Sequence, residues 1–255
     1  MKTLIATTMG FVSATLAFAQ PVPLPLAGIG GSPVPAHYVR LEGSGASQTL
    51  LQILRAHQQG CARLGRPVDL PPEGTPVSRI TRDDYYTATH LIEFRREEVL
   101  SIDSNCALSW QAQTPKLLVV SPQGACTLYV ERRMALGVCR AAPSAPMTPL
   151  PTLQQEILGN DSTRNCVRTA AQTAGLRSVQ CVERPPEPWR SFLYRAGADR
   201  RGIVLESIVT MAPNDEVIEN VRAVEVRKNI TVGSDILDLA RSQGFTINPG
   251  MEPRQ

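Results

Sequence analysis

Residues 50–64 carry apolar side chains at three- and four-residue steps: Leu50, Leu54, Cys61 and Leu64, with His57 on the same stripe. That spacing predicts a helix with Cys61 on its buried side. Ser47 stands at the N-cap position and Gly65 where the helix should stop. A proline-rich loop follows, and the pattern then changes to short apolar runs at 85–94, 99–110, 116–121, 126–131 and 134–139. The separators 95–98, 112–115 and 122–124 read as turns. Short connections predict an antiparallel meander with one helix packed on it.

After residue 151 the order repeats. Thr152 and Gln155 match a capping box, and Cys166, Val167, Ala170, Ala171 and Ala174 trace a helical stripe ended by Gly175. Strands are expected at 176–182, 202–211 and 217–227, the last two joined by the turn Ala212-Pro213-Asn214-Asp215. A closing helix is capped by Ser234 or Asp235 and stopped by Gly244. The stretch 141–151 (AAPSAPMTPLP) divides these halves. Proline removes amide donors and Ala/Ser offer little to bury, which marks a linker. The expected fold class is α+β: two small lobes, 37–140 and 152–250, each a helix on an antiparallel meander or hairpin, stapled by disulfides.

The N-terminus changes the picture. Lys2 supplies a positive start, an apolar stretch runs from Leu4 to Leu16, and Ala17-Phe18-Ala19 gives the small-x-small pattern of a cleavage site. Residues 1–19 therefore read as a signal peptide, too short for the roughly 20 residues of a membrane span. Residues 20–36, rich in Pro and Gly without periodicity, read as a disordered leader. Export to the periplasm or the exterior of a bacterium is expected, and no membrane span is expected in the mature chain. Cleavage removes Lys2 and lowers the formal charge from +3 to +2 (25 basic against 23 acidic residues). That balance excludes nucleic acid as an expected partner. Only 5% of residues are aromatic, so the core must be built of aliphatic side chains and would gain from covalent staples.

Six cysteines fit that role. Cys61, Cys106, Cys126 and Cys139 precede the linker, and Cys166 and Cys181 follow it. Cys166 with Cys181 closes the second lobe. In the first, a hairpin turning at Arg132-Arg133 would oppose Cys126 and Cys139, leaving Cys61 for Cys106. The alternative joins Cys106 to Cys126 and Cys61 to Cys139. No C-x-x-C occurs, so neither a zinc knuckle nor a dithiol redox site is signalled.

Reaction chemistry is not legible. His37, His57 and His90 lie in no ligand-spaced pair, and no G-x-S-x-G elbow is present. No cofactor, metal or catalytic residue is assigned. Carboxylates cluster at Asp83-Asp84 and at Glu93, Glu97 and Glu98; a glycosidase-like pair would need a defined separation across a cleft, and Glu97-Glu98 beside Arg95-Arg96 reads as a solvated turn. Residues 184–201 (RPPEPWRSFLYRAGADRR) join aromatic and arginine side chains. Trp189, Arg190, Phe192, Tyr194 and Arg195 form the candidate binding patch, because aromatic faces and guanidinium groups recognise peptides and anionic polymers. The expected function is a non-enzymatic binding or structural protein of the bacterial cell envelope, with an envelope protein or anionic polymer as partner. The alternative is a secreted hydrolase or hydrolase inhibitor with an unrecognised site.

Overall fold

The computed structural model describes residues 29–45, 48–72, 74–121, 124–137, 139, 164–169, 177–183, 192–199, 203–211 and 216–247. The expected signal peptide, the linker 141–151, and Trp189 and Arg190 of the candidate patch lie outside these residues. Among the described residues thirteen strands form one mixed sheet. Helix among the described residues is confined to α1 (Gln48–Arg63), a 3-10 turn at Ser234–Asp238 and the short α2 (Leu239–Ser242).

The strands are β1 (Pro33–Gly45), β2 (Ser78–Thr87), β3 (Leu91–Ile102), β4 (Leu108–Ala112), β5 (Lys116–Ser121), β6 (Gly124–Tyr129) and β7 (Met134–Gly137) in the first half. The second half supplies β8 (Arg164–Thr169), β9 (Arg177–Glu183), β10 (Phe192–Ala198), β11 (Val204–Met211), β12 (Glu216–Gly233) and β13 (Thr246–Ile247). Their spatial order is β13-β7-β6-β5-β3-β2-β1-β12-β11-β10-β9-β8, with β4 beside β3. Among the described strands only the β13–β7 pair is parallel.

This order overturns the two-lobe α+β expectation. β1 pairs with β2 along one edge and with β12 along the other, so both halves of the chain share one sheet. The physical reason lies in β1 itself. Tyr38 enters one core, Val39 and Leu41 another, and a strand buried on both faces needs partners for the amides on both edges. Residues 33–36, expected as leader, are the start of this strand. Pro33 and Pro35 are tolerated because residues 33–35 pair with β12 alone.

Other local expectations shift for related reasons. α1 matches the predicted helix, with Leu51, Leu54 and Cys61 buried. His57, however, is exposed, and Gln58 instead bonds back to the Val68 carbonyl at 2.8 Å. The predicted strand 85–94 contains a hairpin turn, where the Thr87 hydroxyl accepts from the His90 amide at 2.9 Å. The predicted turn 95–98 is the middle of β3. The stripe beginning at Cys166 is not helical over its first residues, since β8 pairs with β9 there.

Alternation places the cores on opposite faces. One face of β1, β2, β3, β5, β6 and β7 contributes Tyr38, Tyr85, Phe94, Leu117 and Leu128, covered by Ile236, Leu239 and Ala240 of the C-terminal turn and helix. On the same face, farther along β3 and β4, α1 covers Ile102, Leu100 and Leu108. The opposite face carries Val39, Leu41, Tyr86, Ala196, Val204 and Val221. Two disulfides tie the first half. Cys61–Cys106 pins α1 to the β3–β4 turn with Cα atoms 5.7 Å apart, and Cys126–Cys139 closes the β6–β7 hairpin at 4.8 Å. Cys126 stands opposite Gly137, and the chain turns there at φ +101° to bring Cys139 back.

Candidate binding site on the sheet face

Charged residues, those of the expected turn 95–98 among them, are the organising feature of β2 and β3. Asp83 and Asp84 are both fully buried, on opposite faces of the sheet. Asp83 accepts from Tyr38 Oη at 2.6 Å, from Arg40 Nε at 2.9 Å and from Arg96 Nη2 at 2.7 Å. Its burial is thereby compensated, as a buried carboxylate requires. Burial and this carboxylate hold the Tyr38 hydroxyl well above the ordinary phenol range, so it stays protonated and donates. The bond to Asp83 also raises the Arg40 guanidinium. Within this trio one negative charge faces two positive ones, and Glu225, opposite Arg40 on β12, sets a second carboxylate beside Arg40.

The Arg40 and Arg96 side chains remain 30% and 31% exposed. They reach the edge of a polar strip on that face. Register lays Arg222, Glu42, Thr81 and Arg96 side by side across β12, β1, β2 and β3. The next row is Asn220, Ser44, Arg79 and Glu98. Arg222, Glu42, Asn220, Arg79 and Glu98 are exposed. The Arg79 guanidinium lies 4.0 Å from the Trp110 ring of β4, and that of Arg96 lies 5.6 Å from Phe94. The strip is flanked along the strands by the apolar cluster under the C-terminal helix and by the cluster under α1.

The other face holds a lock rather than a surface. Arg82, nearly buried, meets Asp84 at 3.1 Å and Glu219 of β12 at 3.3 Å, with Glu93 at 3.6 Å. Arg95 of β3 also binds Glu219, and the Tyr86 hydroxyl accepts from the Val204 amide of β11 at 3.2 Å. β2 and β1 lie between β3 and β12, roughly 14 Å of flat sheet at ordinary strand spacing. The contacts therefore require the sheet to curl toward this face. Burial pushes the Asp84 carboxyl up to about 7 against the pull of Arg82, with Glu93 adding to the rise.

Among the predicted site residues, the structure joins Cys61 to Cys106 and Cys126 to Cys139. The backbone register sets Cys166 opposite Cys181. Phe192, Tyr194 and Arg195 lie in β10, paired on both edges by β9 and β11. Thr89 and His90 form the one hydroxyl–imidazole contact among the described residues, Oγ1 to Nδ1 at 2.8 Å. Thr89 is buried and burial lowers the His90 pKa; no carboxylate among the described residues bonds the ring to orient it. The pair belongs to the β2–β3 turn and lacks the third member of a nucleophilic triad. No group of His, Cys, Asp and Glu suited to a metal ion occurs among the described residues. Nor is any described helix long and apolar enough to cross a membrane.

Sequence reasoning passed over Asp83 because its partners Tyr38, Arg40 and Arg96 lie on other strands, and their separation from it is not visible along the chain. The available signal was alternation: Arg82, Asp84 and Arg40, Asp83, Arg96 fall on separate faces once β1, β2 and β3 are aligned. Comparison with protein-family models, curated proteins and solved structures gave no match.

Proposed function

We propose that this chain is an exported, non-enzymatic binding protein of the bacterial cell envelope whose ligand is an anionic polymer. The polymer lies on the strip between α1 and the C-terminal helix. The observation that carries this reading is the Asp83 cluster, in which one buried carboxylate orders Arg40 and Arg96 while a third of each side chain stays accessible. A guanidinium already fixed loses little freedom on engaging an oxyanion, so the cluster is preorganised for one. The two disulfides suit an oxidising destination, and Cys61–Cys106 anchors the helix on one side of the strip.

Equilibrium binding of the purified mature chain to polyglutamate, polygalacturonate and polyphosphate tests the reading, with neutral dextran as control. At least one polyanion is expected to bind, more weakly as salt rises. Arg40→Ala with Arg222→Ala should weaken it about tenfold or more, the scale of one charge-assisted hydrogen bond. Failure to bind any polyanion, or equal binding of dextran, would sink the proposal.

A further inference from the structure

We infer that the polymer is an acidic polysaccharide, one whose sugar rings carry carboxylates, and that it crosses the strands from β12 toward Trp110 on β4. This rests on the reading of the strip as a polyanion site and narrows its chemistry.

The strip is not uniformly basic. Glu42 and Glu98 stand exposed beside Arg222 and Arg79, Glu98 in a loose, solvent-exposed ion pair with Arg79 at 3.9 Å, with Ser44, Thr81 and Asn220 in the same rows. Ionised carboxylates only accept hydrogen bonds, whereas sugar hydroxyls both donate and accept. A polyphosphate offers acceptors alone and is repelled by Glu42 and Glu98. A hydroxylated chain with spaced charges satisfies the acids and the arginines together. A peptide fits less well, because peptide recognition relies on a sheet edge or an apolar groove. The floor of this strip is the face of paired strands, and its two rows expose no large aliphatic side chain.

Trp110 adds the second half of the argument. It is only partly buried, on the face of β4 that continues the strip, and the Arg79 guanidinium is stacked 4.0 Å from its ring. Arg79 takes one face of the ring, so a sugar ring would pack its apolar face on the opposite one. From β12 to β4 the strip crosses five strands, roughly 19 Å at ordinary strand spacing, longer than one sugar ring and suited to a chain. The Arg40–Asp83–Arg96 cluster supplies the positive charge for a carboxylate within that length.

Tryptophan fluorescence reads this directly, since Trp110 and Trp189 are the two tryptophans of the chain. The Trp189→Phe variant of the mature protein leaves Trp110 as the reporter. Titration with polygalacturonate should give a saturable change that carboxyl-reduced polygalacturonate and dextran do not. Arg222→Ala, a change at an exposed position, should weaken binding several-fold while the circular dichroism spectrum stays the same. If polyphosphate or polyglutamate binds at least as tightly and with the same dependence on Arg222, the polyanion site stands and the saccharide assignment is overturned. If no polyanion binds, both fall. Polygalacturonate binding that leaves Trp110 fluorescence and the Arg222→Ala affinity unchanged places the ligand elsewhere and also overturns the inference.

Discussion

Asp83 and Asp84 are neighbours in β2, both fully buried, and face opposite sides of one sheet with different electrostatic outcomes. Asp83 is met by two arginines and a tyrosine and forms the root of an accessible positive cluster. Asp84 shares Arg82 with Glu93 and Glu219, so its side of the sheet holds more acid than base nearby. Period-two alternation alone separates the two environments.

The Asp84 carboxyl gives the fold a pH dependence whose sign is fixed. Its folded pKa is about 7 against an ordinary value of 3.8. Between these values the folded state binds more protons than the unfolded one, so stability falls as pH rises. The contribution is complete below the unfolded value and is lost as pH climbs through 7. Urea denaturation at pH 6.5, 7, 7.5 and 8, above the range in which the lowered His90 pKa acts in the opposite sense, should show a declining midpoint, and Asp84→Asn should flatten that decline. A midpoint that rises over the same range contradicts the assignment.

Removing Asp83 strands its partners. Asp83→Ala leaves Arg40, Arg96 and the buried Tyr38 hydroxyl without their shared acceptor, and is expected to cost about 3–5 kcal/mol. Chemical denaturation measures this. A loss below about 1 kcal/mol, the range of exposed ion pairs, would show that the cluster is solvated rather than buried.

Two glycines make opposite predictions. A Cβ at Gly43 would sit 1.8 Å from the Asn220 carbonyl oxygen of the adjacent strand, backbone that cannot move aside cheaply. Gly43→Ala should destabilise by about 1–3 kcal/mol or more, the cost of overpacking. Gly60 lies exposed in α1 with nothing within 4 Å of an added Cβ, so Gly60→Ala should stabilise by roughly 0.5–1 kcal/mol. A Gly43→Ala midpoint at or above that of the wild type would refute the close approach of β1 to β12.

A third disulfide is expected between Cys166 and Cys181, which the β8–β9 register sets directly opposite each other. Peptide mapping of the oxidised protein without reductant should recover these two in one linked peptide, beside the Cys61–Cys106 and Cys126–Cys139 pairs. Alkylation of both thiols before reduction would exclude it. Loss of the bridge by Cys166→Ala with Cys181→Ala should lower stability by about 2–4 kcal/mol.

Much of the local structure was legible along the chain. The spacing of Leu50, Leu54 and Cys61 predicts α1, the apolar run at 116–121 coincides with β5, and Gly244 does mark the end of the C-terminal helix at φ +66°. Errors fell where charge interrupts a strand. Arg95–Glu98 reads as a turn because four charged residues look solvated, yet Arg95 reaches Glu219 and Arg96 reaches Asp83 from within β3. The partners are remote in sequence, so no local pattern announces them.

Sequence by itself determined α1 and the change to strand after it, and which cysteines lie in each half, since both depend on spacing between near neighbours. It also set the ionisable groups available to the protein. Tertiary structure alone decided that the halves share one sheet, because the pairing of β1 with β12 joins residues nearly two hundred positions apart. It likewise decided that Asp83 holds a pair of accessible arginines while Asp84 is locked in a core. Those fates depend on which strand lies alongside and which way the sheet curls, and neither is encoded in a short window of residues.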